Sequence, residues 1–270
     1  MRIEKYKTFK NKLTLFYYIF DWDDNILHMP TPIHIESLKD DKWIPVDILP
    51  DEFAKIRKGN TWRKRKDDLK TTFQEFRDTG PRRDMAFLED TKKAVLNGNF
   101  GPSFQDFINT LINGNLFLII TARGHEPETM KRVVKWLIYN YMTPIQRKTM
   151  IKNLKNFQRI FNSNDITIES YLDTCEFVGI MSQYFKNKYE KDLEITSDVE
   201  EGKELVINEF LNRLEKFATE VGAKLKVGFS DDDENTVNHM VGFFKEKILD
   251  VVIDYYIFNT ANKGKERVKI

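Results

Sequence analysis

The chain has 270 residues, 31% of them charged and 41% hydrophobic, with a formal net charge of +1. That is the balance of a globular protein with room for one large domain, and it supplies no global field for nucleic acid or an anionic membrane. The single cysteine, Cys175, excludes an internal disulfide and fits a reducing, cytosol-like compartment.

The N-terminal "MRIEKYKTFKNKLTLF" has charge but no apolar core ending in small residues, so it does not read as a secretory signal. No window approaches the ~18 uninterrupted apolar residues of a membrane span. Four short apolar runs without alternation read as buried parallel strands: "LFYYIF" (15–20), "LFLII" (116–120), "LKVGF" (225–229) and "DVVIDYYIF" (250–258). "EFVGIM" (176–181) reads as a fifth strand or a helical segment. Helical patterns lie between them, at 103–111, 126–142, 202–222 and 235–249. The third places Leu205, Val206, Phe210, Leu214 and Phe217 at roughly helical spacing. Alternating strands and helices predict a three-layer, Rossmann-like α/β core with a parallel sheet.

Two stretches break the alternation. Residues 33–100 hold "PIHIESLKDDKWIPVDI", read as a hairpin turning at Asp40 and Asp41, then a basic, largely helical stretch. Residues 143–200 hold a helix, "PIQRKTMIKNLKNFQRIF", and a polar run. Both read as insertions in a single domain whose core is approximately 12–32, 101–142 and 176–260. Loops at the carboxyl ends of parallel strands build sites, so such insertions act as lids or caps.

Carboxylates follow two of the strands. Asp21, Asp23 and Asp24 follow the first, and Asp231, Asp232 and Asp233 the fourth. Brought together, they form a negative pocket that calls for a cation, and oxygen donors alone select a hard ion, with Mg²⁺ the usual one. A calcium EF-hand loop needs glycine sixth and glutamate twelfth. Counting from Asp21 gives Ile26 and Pro32, and from Asp231 gives Thr236 and Gly242. His28, His34, His125 and His239 lack the paired spacing of a zinc motif.

"YYIFDWDDN" resembles the first motif of the haloacid dehalogenase (HAD) superfamily, an apolar strand followed by D-x-D-x-T/V, matched by Asp21 and Asp23, with Asn25 in place of the usual Thr or Val. "LFLIITARG" supplies Thr121 for the second motif, a Thr or Ser ending a core strand. "EEGKELV" supplies Lys203 for the third, a lysine opening a helix, preferred over Lys188 and Lys191 because a helix begins there. "FSDDDEN" supplies the fourth, an acidic pair, with Asp231 first, Asp232 or Asn235 second, and Ser230 where many relatives have Gly.

The resemblance implies a Mg²⁺-dependent phosphatase acting on a phosphorylated small molecule or nucleotide. Asp21 would be the nucleophile, forming an aspartyl phosphate, and Asp23 the general acid and base. Mg²⁺ would sit on Asp21, the Asp23 carbonyl, Asp231 and Asp232, while Thr121, Lys203 and Arg123 hold phosphate oxygens. Two alternatives stay open. One is a non-catalytic binding or structural module on the same fold, such as a virus or phage component. The other is a polynucleotide or nucleotide phosphatase that uses the basic "KIRKGNTWRKRKDDLK" (55–70). That segment reads first as a solvated helical face with Trp62 pinned to the core, because Asp67 and Asp68 interrupt it.

Overall fold

The computed structural model describes residues 14–57, 59–161, 166–190, 199–247, 249–261 and 264–268. The first described element is strand β1 (Thr14–Phe20). It then builds the hairpin β2 (Ile33–Lys39) and β3 (Lys42–Ile48), helix α1 (Pro50–Ile56), strand β4 (Trp62–Lys64) and helix α2 (Leu69–Thr72). Helices α3 (Met85–Leu96) and α4 (Phe104–Asn113) lead into β5 (Leu116–Thr121). Helices α5 (Pro127–Asn140), α6 (Pro144–Phe161) and α7 (Ile168–Thr174) precede β6 (Glu176–Gly179). Helices α8 (Gln183–Tyr189) and α9 (Val199–Val221) lead to β7 (Lys224–Asp231), then α10 (Glu234–Glu246), β8 (Val252–Asn259) and β9 (Glu266–Val268).

The main sheet runs β6-β5-β1-β7-β8-β9. Five strands are parallel, and β9 pairs antiparallel with β8 at the edge, an addition that a three-residue strand with little apolar content does not announce. The ambiguous 176–181 run resolves as strand β6. Strand β1 sits centrally, with later strands added on one side and then on the other, so the order reverses between β1 and β7. That reversal opens a crevice at the carboxyl ends of these two strands.

Helices cover one face along β1, β5, β6, β7 and β8 and the other face over β1, β5 and β6, as buried apolar strands require. One apolar cluster joins Phe20, Phe117 and Ile119 to side chains of α3, α4, α5, α6 and α7. The other joins Tyr17, Ile19, Leu118 and Val227 to α9 and α10. Helix α3, within the stretch read as the first insertion, belongs to this core through Phe87, Leu88 and Ala94. Helices α6 and α7 from the second insertion do so through Met150, Leu154 and Leu172. Among the described residues, only the earlier half of the first insertion stands apart.

That part is a second sheet, ordered β3-β2-β4. Asp40 and Asp41 turn its hairpin with positive φ of 48° and 57°, the geometry of a tight two-residue β-turn that Asp tolerates. The basic 55–70 stretch is not one helical face: β4 pairs with β2 in its middle. Two of its cations are consumed within the sheet. Arg65 donates to the carbonyls of Ile35 and Val46 at 3.1 and 2.9 Å, and Arg63 reaches Glu36 at 2.5 Å. Trp62 packs edge-on against Phe53 in a small apolar cluster with Ile33, Ile35 and Phe73. Among the described residues, no helix is long and apolar enough to cross a membrane.

Candidate active site

The sheet register brings the two acidic clusters together. Phe20 pairs with Ser230 across β1 and β7, so Asp21 and Asp231 come next, side by side at the mouth of the crevice. The Asp21 amide donates to the Ser230 carbonyl at 3.0 Å. Both aspartates are buried, with exposures of 5% and 1%. Lys203, on the first turns of α9, reaches between them from the opposite layer. Its Nζ lies 2.8 Å from Asp21 Oδ1 and 2.6 Å from Asp231 Oδ2. Of the other lysines that compete for this role by sequence, Lys188 pairs with Glu209 at 2.9 Å, and Lys191 lies outside the described residues.

One carboxylate oxygen from each of Asp21, Asp231 and Asp232 lies within 4.8 Å of the others, a grouping that could hold a metal ion. Three carboxylates against one ammonium leave two negative charges when all are ionised, which matches a single divalent cation. Proton affinities are shifted accordingly. Burial, then the charges of Asp231 and Asp23, push Asp21 well above the usual carboxylate range despite Lys203. Burial raises Asp231, and burial with the charges of Asp21, Asp231 and Asp24 raises Asp232. Burial opposes the charge on Lys203, yet the two aspartates outweigh it and its pKa is raised. Desolvation leads for the three carboxylates, and the negative charge around Lys203 decides its shift.

The remaining carboxylates have other tasks. Asp23 lies apart from this group, and its two oxygens accept from Arg123 Nε and Nη2 at 2.7 and 2.6 Å. Arg123, expected to reach an anionic substrate, is 2% exposed and committed to Asp23 and to Thr31 Oγ1, 2.9 Å away. Its guanidinium lies over the Phe76 ring. The Asp23 carbonyl accepts from the Asn25 amide at 2.6 Å. Asp24 takes the turn with φ of 53° and meets His28 Nδ1 at 2.7 Å. Asp233 caps α10, accepting from the Asn235 amide at 3.0 Å, and pairs with Arg57 of α1 at 3.2 Å. Thr121, buried at the end of β5, receives the Arg123 amide on Oγ1 at 3.3 Å.

The two positions that depart from the resembled motifs meet each other. Asn25 is fully buried, and its Nδ2 donates to the Asp21 carbonyl (2.9 Å), the Ser230 carbonyl (3.1 Å) and Ser230 Oγ (3.0 Å). Its Oδ1 accepts from Thr260 at 3.1 Å. Asn25 thus ties the β1 loop to the ends of β7 and β8 and fixes the backbone that carries Asp21. No spacing in the sequence announces this pairing.

A cavity of about 430 Å³ stands over these groups. Asp21, Asp23, Thr121, Lys203, Asp231 and Asp232 line its floor, and Phe53, Trp62, Phe73 and Phe76 of the small sheet region form an apolar wall. This region is anchored to the loop after β5. Gly124 N donates to the Phe76 carbonyl at 2.8 Å, and Asp78 accepts from His125 Nδ1 at 2.7 Å and from Thr129 at 2.8 Å. Gly179 permits that loop's placement, since a Cβ there would lie 2.5 Å from the Arg123 carbonyl and 2.6 Å from that of His125. No family model, curated protein or solved structure matches the chain.

Proposed function

We propose that this protein is a Mg²⁺-dependent phosphatase of the HAD type, acting on phosphoric monoesters through an aspartyl phosphate on Asp21. The observation that carries the reading is the buried Asp21–Lys203–Asp231 array with Asp232, at the sheet's switch point and under an apolar-walled cavity. Structural ion pairs of this density are unusual inside a core, because replacing them by apolar groups is often neutral or stabilising. Three acids and a lysine gathered at one cavity indicate chemistry rather than packing.

Mg²⁺ fits the donor set, oxygen-only and short by two positive charges, and when bound it would neutralise the repulsion between carboxylates and a phosphate dianion. In the reaction Asp21 attacks phosphorus, the bond to the leaving oxygen breaks, and that oxygen takes a proton from Asp23. Water then attacks the phosphorus of the acyl phosphate, gives its proton to Asp23 and releases inorganic phosphate with Asp21 restored. Lys203 offsets negative charge on the nucleophile side, where an ammonium aimed at developing charge contributes most. Arg123 is a positioning residue that meets both Asp23 oxygens; since that pairing favours the ionised carboxylate, one oxygen must part from Arg123 for Asp23 to carry the proton it gives.

The test is phosphate release from a generic aryl phosphate. The wild-type protein is expected to turn over with Mg²⁺ and to stop in EDTA, and Asp21→Asn is expected to lower turnover on the order of 10⁴-fold. Full activity in EDTA, or in Asp21→Asn, contradicts the mechanism.

A further inference from the structure

The cavity has a neighbour. Arg77, Gly124 and Met181, which close one side of the cavity, also line a second groove of about 900 Å³. The two spaces therefore adjoin, with the paired backbone of Phe76, Arg77 and Gly124 as the wall they share. The first is large enough for one nucleotide-sized group; a neighbouring groove of twice that volume is more than a small phosphoester needs.

The groove differs in chemistry from the cavity. Its lining carries four cations, Lys70, Arg77, Arg83 and Lys186, against two carboxylates, Asp78 and Glu126. Both carboxylates are turned into the protein. Asp78 accepts from His125, Thr129 and the Glu126 amide, and Glu126 accepts from the amides of Gln183 and Tyr184 at 2.8 and 3.1 Å. Lys70, Arg83 and Lys186 are exposed. The rest of the lining is mainly polar, with Thr71, Gln74, Thr79, Ser182 and Gln183 beside Pro81, Ile180 and Met181, and it contains no aromatic ring. Of the two spaces, rings line the cavity, where Trp62 is half-buried beside Phe53. An apolar, ring-lined chamber over the reacting centre, beside a basic and mainly polar groove, is the division of labour that a base and its phosphodiester backbone require.

We infer that the substrate is the phosphorylated end of a single-stranded nucleic acid. Its terminal phosphate meets Asp21, its terminal base lies against the Trp62 wall, and the following phosphodiesters run along Lys70, Arg77, Arg83 and Lys186. This rests on the phosphatase reading above and names its substrate class. Of the basic 55–70 stretch it uses Lys70, while Arg63 and Arg65 are held within the small sheet.

The experiment measures kcat/KM with Mg²⁺ on an aryl phosphate, mononucleotides, and DNA and RNA oligonucleotides of about eight residues phosphorylated at either end, over a range of salt. At least one oligonucleotide is expected to exceed its mononucleotide tenfold or more. The K70Q/R83Q double variant is expected to abolish that preference and to flatten the log–log salt dependence by about 1.4, at roughly 0.7 per phosphate contact on a single strand. The exposed Lys216→Gln on α9, far from the groove, should change neither. Aryl phosphate turnover with no oligonucleotide preference, an unchanged salt slope in the double variant, or a greater preference for inorganic polyphosphate or a phosphopeptide overturns this inference alone. Absence of hydrolysis with every substrate overturns the phosphatase reading and this one with it.

Discussion

Replacing Lys203 with Met removes the cation that, among the described residues, pairs directly with the carboxylate cluster, while keeping a side chain of similar length. The structure sets the scale: two charge-assisted bonds of 2.8 and 2.6 Å, made by side chains only 3%, 7% and 1% exposed. Breaking one partner of a buried pair leaves charge uncompensated and costs about 3–5 kcal/mol. With a urea slope of about 3 kcal/mol/M for a chain at the large end of the usual range, the midpoint should fall by about 1–1.7 M at pH 8. The loss should shrink as pH falls. Asp21, Asp231 and Asp232 have raised pKa values, so the folded protein holds protons that the unfolded chain has released. Stability therefore falls as pH rises from about 4 through those raised values, and more steeply without Lys203. Saturating Mg²⁺, which adds about 2.7 kcal/mol at a hundred times its Kd, should recover more stability in the variant than in wild type. Urea melts at pH 5 and pH 8, with and without Mg²⁺, provide the readout. A midpoint shift under about 0.3 M at pH 8, or one larger at pH 5, refutes the reasoning.

Other consequences are equally specific. In the wild type, Mg²⁺ should raise the melting temperature more at pH 8 than at pH 5, because protons compete for the same three carboxylates; equal shifts at both pH values contradict a site built from them. Asn25→Ala strips a buried residue of bonds to Asp21, Ser230 and Thr260 and strands their polar groups, so it should cost about 2–4 kcal/mol in chemical denaturation, and a cost below 1 kcal/mol would show that Asn25 is not the tie described. Burial pushes the Cys175 thiol up to about 12, so a thiol reagent at pH 8 should label it only when urea unfolds the chain; rapid labelling of the native protein would contradict that burial. Gly179→Ala forces apart the β6 end and the loop carrying Arg123, and should lower aryl phosphate turnover by displacing Asp23, with unaltered turnover arguing against that linkage.

The sequence displays those features that repeat a simple rule. Apolar runs of five to nine residues mark β1, β5, β7 and β8 because at least one face of each strand packs into the core, and carboxylates at the ends of β1 and β7 announce the crevice. Lys203 was legible only because its segment opens a helix at a suitable distance before Asp231. Other features depend on which side chains meet across long separations. Nothing local shows that Arg123 turns to Asp23, 100 residues away, or that Asn25 finds Ser230 across 205 residues. The basic 55–70 stretch misled for a related reason: a run of Lys and Arg looks the same on a helix as on β4, and the carbonyls and Glu36 that absorb its charges come from β2 and β3. The extent of the insertions was also hidden, since α3, α6 and α7 join the core through apolar stripes that would equally suit a separate lid.

The central claim, that Asp21 is the nucleophile, is tested most directly by trapping its product. Wild-type protein is mixed with Mg²⁺ and aryl phosphate, quenched into hydroxylamine and digested, and the peptide containing Asp21 is weighed by mass spectrometry. The account predicts a hydroxamate on Asp21, dependent on Mg²⁺ and substrate and absent from mixtures without either. Phosphate release by the same sample with Asp21 unmodified, or with the label on another side chain, would contradict it.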